Sequence, residues 1–250
     1  MTSEKDTSFG RIINDICSAQ WRNATSSQMF NISHAYYFFS IQFRENLEIA
    51  CDLYPDDAKL SRLYEEECDT DNLSPWPGIT RTAEKVDHDE FIRRALLLES
   101  SRKITNIDEI GTSYLVKIRR HTPLTRAKSI ASYEDDGLRR VFLSMLQAPR
   151  WDGPALGAFR FFLLKHVEFD SREGGHGSLS KHLAADDSVT SLWHAFKVLL
   201  AAAAPEVLRP DTLPKADDFI GLAGSVHGAS PHPQPDADTV LHELRMSSSA

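Results

Sequence analysis

Apolar positions along this chain recur at helical spacing almost from end to end. Phe9–Trp21 sets Ile12, Ile13, Ile16 and Cys17 on one stripe, and Asn31–Leu53 repeats Tyr36, Phe39, Phe43, Leu47 and Cys51 every three or four residues. Pro55 closes that helix, and Asp56-Asp57 open another over Lys59–Cys68. The run Asn-Leu-Ser-Pro-Trp-Pro-Gly marks a loop across Asp69–Thr82. Asp87 caps a helix over His88–Ser100, with Phe91, Ala95 and Leu98 facing inward. Asn106 or Asp108 starts the next, which runs to Arg120. Pro123 restarts the chain ahead of one long helix, Leu124–Gln147. Pro154 suits the first turn of a helix whose apolar run, Ala155–Leu164, delivers His166. Asp186 or Ser188 caps Val189–Ala204, which Pro205 ends. No alternating run is long enough for a strand. The pattern predicts an all-α bundle of about seven to nine helices, which builds sites between facing helices from inward side chains.

The domain organisation follows from where this pattern stops. Residues 1–208 form one helical domain, and from Arg209 to Ala250 proline and small polar residues predict a partly disordered tail. At 250 residues, 41% apolar and 26% charged, the chain can bury a full core. A net charge of −8 excludes a surface that replaces counterions on nucleic acid or an anionic membrane. No run approaches the ~18–20 apolar residues of a membrane span. The N-terminus lacks an apolar secretory core. Cys17, Cys51 and Cys68 are odd in number and unrelated in spacing, so neither a disulfide framework nor a zinc ribbon is expected, and a cytoplasmic setting fits.

The densest chemistry lies in Lys165–His182, KHVEFDSREGGHGSLSKH, with His166, Glu168, Asp170, Glu173, His176 and His182 behind an apolar run. Residues four apart share a helix face, so His166 and Asp170 point the same way. Burying them without partners costs roughly several kcal/mol, and a metal ion is a common partner for such a set. Gly174-Gly175 loosen the helix so that His176 can turn toward the same point. The bland alternative is a solvated helix end. Three other places set acid or imidazole beside apolar stripes. Glu65-Glu66-Glu67 is either a solvated acidic face or turns one carboxylate inward. His88 opens its helix, where the macrodipole favours neutral imidazole, or is a simple surface histidine. Glu134 falls on the buried side with Ala131 and Leu138, while Asp135 and Asp136 rotate away.

Taken in order, Glu66-Glu67-Cys68-Asp69, His88, Glu134, His166-Val-Glu-Phe-Asp170 and His176-Gly177 resemble the haem-oxygenase-like dimetal oxidases, over roughly His34 to Leu200. The resemblance implies Glu67 (or Glu66), His88, Glu134, His166, Asp170 and His176 as ligands of two Fe(II) ions, with O2 as cosubstrate and Glu134 and Asp170 in the catalytic set. Two departures stand out. The loop between Glu67 and His88 is longer than usual, and the last histidine falls six positions after Asp170, leaving Glu173 at the regular helical position. Glu168 and Asp135 are candidates to support the ligands. The family's substrates imply a small amino acid or amine here, altered by N-oxygenation, C–C cleavage or desaturation within a biosynthetic pathway. Arg44, Tyr36 and Tyr37 could recognise a carboxylate and side chain, although both tyrosines also suit a plain core. The partners expected are this substrate and, as a homodimer, a second copy of the chain. Rival readings are a haem protein with His34 as axial ligand, and a metal-free binding module or vitamin-related hydrolase.

Overall fold

The computed structural model describes residues 7–99, 106–170 (the Asp170 side chain excepted) and 179–208. Among them are nine α-helices and no strand. In chain order these are α1 Ser8–Cys17, α2 Ser26–Leu53, α3 Ala58–Glu67, α4 His88–Leu97 and α5 Ile107–Ile118. Then come α6 Pro123–Glu134, α7 Gly137–Met145, α8 Pro154–Asp170 and α9 Thr190–Ala203. The expected all-α bundle is therefore present. No described helix is long and apolar enough to cross a membrane. The cysteines form no disulfide. The predicted tail, 209–250, lies outside the described residues.

The 28-residue α2 is the axis of the bundle, packed by α3, α4, α5, α6, α8 and α9. It starts earlier than its apolar stripe suggests because Thr25 and Gln28 form a capping box. Thr25 Oγ1 accepts from Gln28 N at 3.2 Å, and Gln28 Oε1 accepts from Thr25 N at 2.8 Å. A helix touched on most sides must be apolar on most sides. Accordingly Phe30, Ile32, Ala35, Phe39 and Leu47 are all buried. Tyr36 sits at the centre, its ring 5.4–5.6 Å from those of Phe39, Phe142, Phe159 and Phe162. Gly111 of α5 lets that helix close on α2, since a Cβ there would lie 2.2 Å from the Phe38 ring.

One expected helix is two. The predicted Leu124–Gln147 breaks at Asp135-Asp136, where Asp136 takes a left-handed φ of 77°. Gly137 then starts α7, and a Cβ on it would stand 2.3 Å from the Ser132 carbonyl oxygen. Glu-Asp-Asp-Gly is turn chemistry. The apolar stripe continues across it because α6 and α7 both face the core, which hid the break.

Candidate metal centre

Glu67 is the last residue of α3 and His88 the first of α4, so their meeting is the work of the loop between them. That loop is clipped shut at its base. Thr70 and Val86 exchange backbone hydrogen bonds at 3.3 and 2.9 Å, and Asp69 N donates to the Asp87 carboxylate at 2.9 Å. The extra length noted in the sequence is thus carried outside the clip, while the two helix ends stay adjacent. His166 arrives from α8, which packs along α4.

The result is a buried group of Glu67, His88 and His166 whose ligand atoms lie within 4.8 Å of one another. Glu67 Oε2 is 2.7 Å from His88 Nδ1, Glu67 Oε1 is 3.9 Å from His166 Nε2, and the two imidazole nitrogens are 3.2 Å apart. The outer nitrogens fix the tautomers. Asn72 Nδ2 donates to the Glu66 carbonyl at 2.7 Å, so its Oδ1, 3.0 Å from His88 Nε2, is an acceptor there. His88 Nε2 therefore carries hydrogen, and Nδ1 turns a lone pair inward. His166 Nδ1 is 2.8 Å from the Phe162 carbonyl oxygen, again an acceptor, so the lone pair of His166 is on Nε2. Three acceptor atoms thus face one another inside the protein. In neutral tautomers none of the three brings hydrogen to the others, and the group could hold a metal ion or, between Glu67 and His88, a proton. Three N and O donors about 2.1 Å from a shared ion stand a few ångströms apart, so the spacing fits a transition metal.

Burial, then the Glu67 charge, push the neighbouring Cys68 thiol well above the usual thiol range.

A cleft leads to the group, with Tyr36, Phe43, Arg44 and Asp89 in its walls. It measures about 370 Å³ with its opening. Arg44 is committed inside it. Its Nη2 lies 3.2 Å from Asp89 Oδ2, its Nη1 3.0 Å from Glu48 Oε1, and its Nε 3.9 Å from Asp87 Oδ2. The guanidinium expected to receive a substrate carboxylate thus already has three carboxylates around it.

The other expected residues divide as follows. Of the acidic run, Glu67 turns inward to the described group and Glu66 pairs with Arg62 at 2.8 Å. Glu134 is buried as expected, at the last residue of α6, but lies outside the 4.8 Å group. Asp170 ends α8 one turn beyond His166; its side chain lies outside the described residues, as do Glu173, Gly174-Gly175 and His176. Asp135 leans to Lys181 at 3.5 Å and Glu168 to Lys165 at 3.2 Å. Tyr36 is core and cleft wall at once; Tyr37 packs on Phe38. His34 gives its Nε2 hydrogen to Asp108 at 3.0 Å and stacks on Phe38, which engages the nitrogen a haem would need. Sequence reading missed Asn72, whose only prior signal was a turn-forming residue in a loop, and Asp89, hidden in the first turn of α4.

No protein-family model matches the chain, and no curated protein or solved structure does so either.

Proposed function

We propose that the chain is an O2-dependent non-haem iron oxidase of the haem-oxygenase-like dimetal kind, acting on a small amino acid or amine. The observation that carries the reading is the convergence of Glu67, His88 and His166 with both imidazole lone pairs turned inward. Hard-to-intermediate donors without thiolate suit Fe(II). Bound iron would supply the one-electron and dioxygen chemistry that side chains lack. Glu67 contributes the anionic donor, and His88 and His166 the neutral ones. Asn72 and the Phe162 carbonyl hold the two rings in the ligating tautomer. Tyr36, Phe43 and Phe162 keep water from the inner cleft. Glu134, Asp170 and His176 would hold a second iron.

Anaerobic Fe(II) titration followed by O2 tests this. Wild type is expected to take up about two irons per chain, as dimetal carboxylate sites do, and then to consume O2. His166→Ala should lose the first iron and Glu134→Ala the second. A wild-type protein that binds no iron overturns the proposal. One observation favours a second reading: 2.7 Å between Glu67 Oε2 and His88 Nδ1 also suits a single proton shared by an ion pair. The chain would then be a metal-free helical binding protein, and the same titration separates the two.

A further inference from the structure

The last described helix, α9, packs along α5, and a groove runs between them. The two helices point in opposite directions. Ser191, in the first turn of α9, lies 3.5 Å from His121, just past the end of α5. At the other end, Ala203 and Asp108 meet Asn31 and His34, one turn apart on α2, at 3.3 and 3.0 Å. Buried Ala195 and Leu199 form the floor of the groove, and half-buried Ile110 and Val198 its sides. Its ends carry opposite charges. Glu109 lines the end where α9 finishes, and Lys117 the end where α9 begins. The groove measures about 840 Å³ with its opening. Burial lowers the Lys117 amine from its usual value, an effect that a neighbouring carboxylate would offset.

The sequence beyond Leu208 contains a piece that matches this groove. Ala237, Val240, Leu241 and Leu244 recur at i, i+3, i+4 and i+7, the anchor spacing of an amphipathic helix that lies in an apolar groove. On such a helix Asp238 and Arg245 flank the stripe on one side, about 10 Å apart at 1.5 Å per residue. Glu109 and Lys117 stand about 12 Å apart along α5 by the same rise. We propose that Ala237–Arg245 docks as a helix in the α5–α9 groove of its own chain, antiparallel to α5, with Asp238 at Lys117 and Arg245 at Glu109. The connection permits it. The chain leaves α9 at the Glu109 end, and roughly 30 residues, rich in proline and small polar side chains, join Leu208 to Asp238. A flexible linker of that length has an r.m.s. reach of about 30 Å, against about 16 Å for the groove from Asn106 to Lys117. The other apolar piece of the tail, Phe219–Leu222, fits less well: Asp217-Asp218 would answer Lys117, but no cation follows within reach of Glu109. The inference is independent of any metal.

Zero-length carbodiimide coupling on the full chain tests this, because it joins a lysine amine only to a carboxylate in contact with it; peptide mapping by mass spectrometry reads the sites. The expected product is an amide between Lys117 and Asp238 within the monomer. Leu241→Asp should cut its yield about tenfold or more, since it sets an unpaired charge against the apolar floor. Lys117→Glu combined with Asp238→Lys should again join the two positions. An unchanged yield in Leu241→Asp overturns the proposal. So does Lys117 joined chiefly to any other carboxylate, or no product at these positions in either the wild type or the double variant. A product found only between two chains also overturns it, and gives the groove to the tail of a second copy.

Discussion

Two buried polar regions flank α2, and they are built on opposite principles. Toward α5 and α6, Gln42 Nε2 donates to the Tyr133 hydroxyl at 2.6 Å, and the Tyr114 hydroxyl donates to Gln42 Oε1. Asn46 Nδ2 donates to Ser129 Oγ at 3.0 Å, and Arg126 Nε donates to Asn46 Oδ1 at 2.6 Å before reaching Glu45 at 2.9 Å. Donor meets acceptor throughout, and burial holds both phenols protonated by pushing them far above their ordinary range. Toward α3, α4 and α8, acceptor meets acceptor. Burial is similar in the two regions, so burial of polar groups does not itself mark a functional site. The balance of donors and acceptors differs between them: the first network closes among its own side chains, and the second could hold a metal ion.

The sharpest way to break this contrast is to remove a ligand. Glu67→Ala or His166→Ala should weaken Fe(II) or Zn(II) by more than the ~10–100-fold that loss of an outer partner costs, measured by competition with a chelator of known affinity. Metal affinity equal to wild type would erase the difference between the regions. Next, Gln42→Leu should cost about 2 kcal/mol in urea unfolding, because it strands two buried phenols, and should leave metal affinity unchanged. A smaller effect tests the tautomer argument. Asn72→Ala should lower metal affinity by about tenfold and allow the His88 proton to shift between ring nitrogens, visible in 15N spectra; a fixed tautomer in that variant would remove Asn72 from the account.

The smallest effect concerns His34, a buried histidine belonging to neither region. Burial lowers its pKa below the ordinary 6.5, with Asp108 opposing. The unfolded chain then binds more protons than the folded one just below pH 6.5, so stability contributed by the neutral ring is present above that pH and lost as pH falls through the folded value. His34→Gln should flatten this part of the stability profile by a fraction of the whole acid response. An unchanged slope below pH 6.5 would discard the assignment.

How much of this could be read from the chain depends on the range of the interactions. His88, His166 and the inward member of the Glu65–Glu67 run stood out because each interrupts a local apolar stripe, a signal carried within a few residues. Glu134 was legible as buried by the same logic, but burial alone could not say what it faces. The break at Asp136 was written locally, in Asp-Asp-Gly, and was outvoted by a stripe that both helices share. Asn72, Asp89 and the commitment of Arg44 were not legible, since each depends on a partner brought from another element by the fold. The Thr70–Val86 clip belongs to the same class: a single pair of backbone bonds across sixteen positions leaves no periodicity to detect.

That clip has a practical side. Because the chain leaves and re-enters through one doorway beside Glu67 and His88, the exposed stretch Arg81–Ala83 is a place where residues could be added or a fluorescent tag grafted without disturbing the spacing of the donors. Nature and the engineer would have the same freedom there, provided Asn72 keeps its hold on the imidazole behind it.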